Sequence, residues 1–190
     1  MTWTKKIKKE QIEDFISDEA QNELNDRART AVNCNVLGTP TALSSAPGVV
    51  VYQKTFSANE FVDLDTLKIE SINEKTNTNG GSSIRFYVDT ATTFNIATAQ
   101  LLATSPTFTN SNLYLAMKRE FAVRSGILKG LGNTIAVATD ESTGALAGNV
   151  FSTSTFDPTV SQTFYVVAQG NASDSVTKQN FKITVMKNKS

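Results

Sequence analysis

The chain has 190 residues, and its 18 lysines and arginines balance 18 aspartates and glutamates, so the formal net charge is zero. That balance excludes the strong basic field that nucleic acid or an anionic membrane would attract. Histidine is absent and Cys34 is the single cysteine, which removes Ser-His and Cys-His nucleophile pairs, the commonest metal ligand and any internal disulfide. The chain is therefore expected not to be an enzyme, and to need no metal and no cofactor. No apolar run is long enough for a membrane-spanning helix. The basic start, Met1 to Lys9, is not followed by an apolar stretch of signal-peptide length, so a soluble cytosolic product is expected.

The charges are concentrated at one end: residues 1–30 hold 13 of the 36. Ile12, Phe15, Ile16, Ala20, Leu24, Ala28 and Ala31 follow steps of three and four, with Glu10, Glu13, Asp14, Asp18, Glu19 and Glu23 between them. This spacing predicts an amphipathic helix over residues 9–31. A heptad repeat does not hold, because Glu19 and Asp26 fall where Ile12 should recur, so a long coiled coil is not expected. The stripe either packs on its own domain or docks on another chain, and in the second case Ile12, Phe15, Ile16 and Leu24 are the anchoring or oligomerisation residues. Residues 32–48 read as a linker, with Gly38, Pro40, Ser44, Ser45 and Pro47. The expected division is a helical arm over 1–31, a linker over 32–48 and a β-domain over 49–190.

The remainder is rich in threonine, serine and asparagine, which suit strands and polar loops and suit helices poorly. Val49 to Tyr52 opens a series of strands. Thr66 to Ile72 places Leu67 and Ile69 on one face, and Ile84, Phe86 and Val88 alternate with Arg85, Tyr87 and Asp89. Phe94 to Ala103 is a weaker signal. Leu113 to Arg124 is the longest run, and Ser125-Gly126 joins it to Ile127–Thr139 by a tight hairpin turn. Thr163 to Gln169 turns Phe164, Val166 and Ala168 inward, and Phe181 to Met186 does the same with Phe181, Ile183 and Val185. About eight strands of period two predict a mainly β chain: an antiparallel β-sandwich, jelly-roll-like, with an N-terminal α-helical arm. Long polar loops are expected at 73–83, 104–112, 140–162 and 170–180, with a short strand around Val150-Phe151.

Candidate sites are few. Arg119 shares a strand face with Met117 and Phe121, so it either lines a polar pocket or sits at a bulge or rim. Asp63, Asp65, Asp140, Glu141, Asp157 and Asp174 lie in or near loops. A pair of them could run glycoside hydrolysis, and Asp140-Glu141 could hold calcium, but no calcium-loop spacing accompanies them. Tyr87, Tyr114 and Tyr165 fall on strand faces opposite the inferred core. There they are ordinary exposed tyrosines, or an exposed interface, or, with Trp3 and Tyr52, a platform for stacking sugar rings. Cys34 has no electropositive neighbour to activate it.

The run from Leu113 through Met117, Arg119, Phe121, Arg124 and Gly126 to Leu131, with the charged N-terminal helix and the Thr/Ser/Asn-rich sandwich, resembles bacteriophage virion proteins of the head-fibre and capsid-decoration type. That resemblance implies a non-enzymatic structural component of the virion, assembled in the host cytoplasm. It would be anchored to other virion proteins by its N-terminal arm and would display the sandwich outward. A homo-oligomer is implied, with a trimer favoured. The alternative is a carbohydrate-binding or receptor-binding module, such as one on a tail appendage that contacts a host-surface glycan. No partner among nucleic acids or membranes is expected on either reading.

Overall fold

The alternation of apolar and polar residues folds into the strands of a two-layer β-structure, seen in a computed structural model that describes residues 30–34, 41–45, 47–76, 80–105, 107–109, 113–131, 141–142 and 156–188. Ile12, Phe15, Ile16 and Leu24, with most of the helix expected around them, lie outside the described residues, as does the Val150-Phe151 strand. In chain order the strands are β1 (Thr30–Cys34), β2 (Thr41–Ala42), β3 (Val49–Phe56), β4 (Thr66–Thr76), β5 (Ser83–Asp89) and β6 (Gln100–Thr104). They continue with β7 (Tyr114–Arg124), β8 (Ile127–Leu131), β9 (Glu141–Ser142), β10 (Gln162–Gln169) and β11 (Ser175–Met186). No helix occurs among the described residues, so none there is long and apolar enough to cross a membrane.

One sheet runs β1-β11-β4-β7-β8, all antiparallel, with β2 also pairing β11 and β9 pairing β7 in parallel. The other runs β3-β10-β5-β6, again antiparallel. The inward faces carry the residues that the period of two selects. Leu67 and Ile69 of β4, Leu115, Met117, Phe121 and Val123 of β7, and Phe181, Ile183 and Val185 of β11 share one core with Ile84, Phe86 and Val88 of β5 and Phe164, Val166 and Ala168 of β10. Each fully buried Leu, Ile or Phe contributes roughly 1.5–3 kcal/mol by leaving water, and this sum holds the sheets face to face.

Four segments depart from the expectation. Thr30–Cys34 is a strand, paired with β11 from Thr30 opposite Val185 to Cys34 opposite Phe181; it is neither the end of a helix nor a linker. Strand β4 continues past Ile72 because its inward positions become Ser71, Asn73 and Lys75, polar but buried. Strand β11 begins at Ser175, six residues before the apolar run that starts at Phe181; the register shifts between Lys178 and Asn180, so the pattern changes phase. The weak 94–103 signal is a strand only from Gln100, and that strand runs one residue further, to Thr104. The Ser125-Gly126 turn is as expected: φ is 51° and 71° at its two residues, the left-handed pair that a two-residue hairpin turn demands.

Candidate functional site

The turns between strands gather at two ends of the sandwich. One end holds the 57–65, 90–99 and 156–161 segments with the Ser125 turn; the other holds 43–48, 80–82, 107–109 and 170–174. Hydrogen bonds tie the first group together: Asn59 N–H donates to Pro158 O at 2.7 Å, Leu64 N–H to Val123 O at 2.9 Å, and Ser125 N–H to Asp63 Oδ1 at 2.6 Å. Val62, Leu64, Ile96 and Val160 stand exposed on this end. The Val62–Asp65 turn closes by Asp65 N–H donating to Val62 O, with Leu64 at φ 73° in a place that glycine usually takes.

The expected exposed tyrosines do not form a platform. Tyr87 and Tyr165 are direct partners on β5 and β10, and both face away from the core, as predicted. Yet they are only 3% and 1% exposed. The 90–99 segment folds back over them as a strap. Its Phe94 ring sits 5.2 Å from Tyr87 and 5.3 Å from Tyr165, edge-on or tilted, and Ala99 joins the same small cluster with Val167. The Tyr165 hydroxyl donates to Ala91 O at 2.5 Å and so fastens the strap's near end. Burial pushes the Tyr165 phenol above its ordinary pKa of 10.0. Val167 is covered from the other side by Gly48, at φ 94°, where a Cβ would stand 2.7 Å from the valine Cγ1. Tyr114 lies on β7 of the other sheet and is 47% exposed. Period-two patterning identifies the face a side chain points to, but not what another segment lays over that face.

Where the two ends of the strap meet beside the start of β10 is a pocket of about 190 Å³ lined by Val88, Asp89, Thr90, Thr98 and Gln162. Asp89, the last residue of β5, accepts the Thr98 hydroxyl on Oδ2 at 2.7 Å and the Ala91 N–H on Oδ1 at 3.3 Å. The strap turns on Asn95, whose carbonyl accepts Thr98 N–H at 3.1 Å and Ala99 N–H at 2.8 Å, while its side chain accepts Ala97 N–H at 3.0 Å. Gln162 is buried at the start of β10, its amide donating to Asp157 O at 2.6 Å. Thr163, next to it, bonds Thr55 through their hydroxyls at 3.0 Å. None of the pocket residues stood out in the sequence. The signal that could have found them is the Asp89–Thr93 polar run at a strand end with an Asx turn at Asn95 behind it.

The other candidates serve the fold. Asp65 is buried and accepts Val62 N–H, Asn188 N–H and the Lys187 ammonium, each at 2.9 Å. Lys187 also donates to Glu60 O. Asp174, buried at the opposite end, lies 3.8 Å from the buried Lys75, which donates to Gly80 O at 2.9 Å. Asp157 is held below the usual carboxylate range by the hydroxyl and N–H of Thr159. Asp140 lies outside the described residues, and Glu141 belongs to β9. Among the described residues no group of acidic or sulfur side chains is placed to hold a metal ion. Arg119 keeps the inward parity of β7 but is only partly buried; loss of hydration lowers its pKa to about 10, and it donates to Lys118 O at 2.7 Å.

No protein-family model matches the chain, and no curated protein does. Among solved structures, the CBM2 module of the evolved Dit of Lactobacillus casei BL23 phage J-1 is similar at 11% identity, over 73% of this chain and 70% of that one, with a TM-score of 0.38. The carbohydrate recognition domain of Emp46p, in its potassium-bound form, is similar at 12% identity, over 86% of this chain and 90% of that one, with a TM-score of 0.35.

Proposed function

We propose that this chain is a non-enzymatic recognition module, a jelly-roll sandwich that binds carbohydrate or another receptor group through the end built by the 57–65, 90–99 and 156–161 segments. The observation that carries the reading is that end itself: exposed apolar side chains and a polar pocket stand together on loops held by a rigid sandwich, the usual placing of a binding site. The two likenesses to solved structures are too slight to carry the reading, which rests on this chain's own loops. The jelly-roll assignment is supported by strand order. The arrangements β1-β11-β4-β7 and β3-β10-β5-β6 are those of two interlocked Greek keys, with β8 an added hairpin strand.

The setting is a phage particle, with the sandwich displayed by an N-terminal arm as a head fibre, capsid decoration or tail appendage. That part rests on the resemblance of the Leu113–Leu131 run and on the spacing of Ile12, Phe15, Ile16 and Leu24. Two measurements test the reading. The full chain is applied to a glycan array and to host cell walls, and binding to at least one is expected; silence on both sinks the recognition role. Particles assembled with Phe15→Asp and Ile16→Asp together are expected to lack the protein, and normal incorporation removes the anchoring role.

A further inference from the structure

We infer that the pocket between the end of β5, the last turn of the strap and the start of β10 takes one neutral sugar ring, an inference that rests on the carbohydrate reading above. Its volume of about 190 Å³ lies below the roughly 300–1,000 Å³ of sites for larger organic ligands, so a single ring fits and a chain of rings does not enter. The lining is mixed, with oxygen atoms of Asp89, Thr90, Thr98 and Gln162 set in about as much apolar surface. Each carboxylate oxygen of Asp89 has one protein donor, from Thr98 or Ala91, and retains a lone pair for a ligand hydroxyl. The Thr98 hydroxyl spends its hydrogen on Asp89 and keeps its lone pairs. Gln162 is held by its amide nitrogen on Asp157 O, which leaves its carbonyl oxygen to accept. Thr90, exposed at the rim, adds a hydroxyl that donates or accepts. Val88 closes the floor of the pocket and is itself 1% exposed, its side chain belonging to the core.

Several acceptors and one rotatable hydroxyl complement a polyol, which donates through every hydroxyl. They do not suit an anion, which Asp89 repels. Because Thr98 and Thr90 both sit on the strap, the strap's seat on Tyr87 and Tyr165 sets the width of the pocket. Phe94 is thereby a positioning residue for the site, not a surface for the sugar to stack on.

The test uses the full chain labelled with nitrogen-15. Its amide spectrum is followed while D-glucose, D-galactose, L-rhamnose and N-acetylglucosamine are added in turn at millimolar concentrations, the range in which a single ring with few anchors binds. The expected result is that at least one sugar shifts the amides of Asp89, Thr90, Thr98 and Gln162. Asp89→Asn and Thr90→Val are then expected to weaken that sugar at least tenfold, Thr90→Val with an unchanged melting temperature. Thr90 is exposed, so its variant keeps the proposal falsifiable even where Asp89→Asn loosens the strap. If the glycan array lights up but the shifts fall elsewhere, or both variants bind like the parent, the pocket assignment is overturned and the recognition role stands. If no sugar shifts any amide and the array is silent, both fall. If calcium chloride alone shifts these amides and no sugar does, the site is a cation site and the sugar assignment is overturned.

Discussion

At one end of the sandwich, where β3 turns into β4 and β10 begins, the interior closes with Phe56, Phe61, Phe156 and Phe164, their ring centroids 5.0–6.3 Å apart. At the other end, where β4 turns into β5 and β10 into β11, it closes with buried Ser71, Asn73, Lys75, Ser82, Ser105 and Asp174. Apolar burial is non-directional and scales with area, so the aromatic end tolerates changes in the loops that rim it. Buried polar groups stabilise only in one geometry, because each unmade hydrogen bond costs its full desolvation. At this polar end Asn73 donates to Ser71 Oγ and Leu115 O, Ser105 Oγ accepts Ile84 N–H, and Asp174 accepts Gly80 N–H. The polar end thus specifies how the strands are joined, while the aromatic end closes on rings and fixes its loops by the Asp65–Lys187 pair and a few backbone ties. The pocket lies on the aromatic end.

Substitutions at matched places separate the two chemistries. Asp174→Ala leaves the buried Lys75 ammonium without its carboxylate and is expected to cost about 3–5 kcal/mol in chemical denaturation, whereas Asp174→Leu with Lys75→Met is expected to restore most of that loss or exceed it. If the single variant melts like the parent, the pair does not hold this end. Phe61→Ala, in the aromatic plug, is expected to cost about 3–4 kcal/mol, and no change of the plug's polar neighbours should rescue it. Recovery by a polar substitution would erase the distinction between the ends.

Smaller effects test the ties at the rim of the aromatic end. Lys187→Met removes donors from Asp65 and Glu60 O and is expected to cost about 1–2 kcal/mol, most clearly at low salt because the ammonium is partly exposed. Equal loss in molar salt would assign the effect to packing instead. Tyr165→Phe removes the hydroxyl that donates to Ala91 O and is expected to cost about 0.5–1.5 kcal/mol, with faster hydrogen exchange confined to residues 90–99. The raised Tyr165 pKa means that the folded chain holds this proton more tightly than the unfolded one. The parent's strap is therefore fully stable below the ordinary value of 10.0 and loosens as pH rises through the raised value. Tyrosinate absorbance and strap exchange should rise together there in the parent, and the Phe variant should show no such step.

The strands were legible where one face is continuously apolar. Leu113–Arg124 is legible almost to the residue, and so are Ile84–Val88 and Thr163–Gln169, because large apolar residues recur there at alternate positions, with Arg119 the inward exception. Legibility failed where the inward residues are polar. Ser71, Asn73 and Lys75 look like loop residues until their partners are known, and β11 before Phe181 is hidden by its change of phase. It also failed at β1, whose Thr-Ala-Val-Asn-Cys has too little pattern to outweigh the helical spacing just before it. The site was less legible than the fold. Period two gives Tyr87 and Tyr165 their correct face, but Phe94, seven residues beyond Tyr87, covers them, and Asp89, Thr90, Thr98 and Gln162 carry no local pattern that brings them together.

By itself the sequence determined that this is a β-chain with two-sided strands, because burying alternate residues is the one way its period-two segments leave water. It also determined that the chain has no Ser-His or Cys-His pair, no histidine ligand and no internal disulfide, since it has no histidine and one cysteine. Only the tertiary structure decided which strands are neighbours, which end closes with aromatic rings and which with buried serine, asparagine and lysine, and that an outward tyrosine pair lies under its own strap. Those outcomes depend on meetings between residues far apart in the chain, such as Lys75 with Asp174 and Asp65 with Lys187, and no local pattern records what a distant segment will bring.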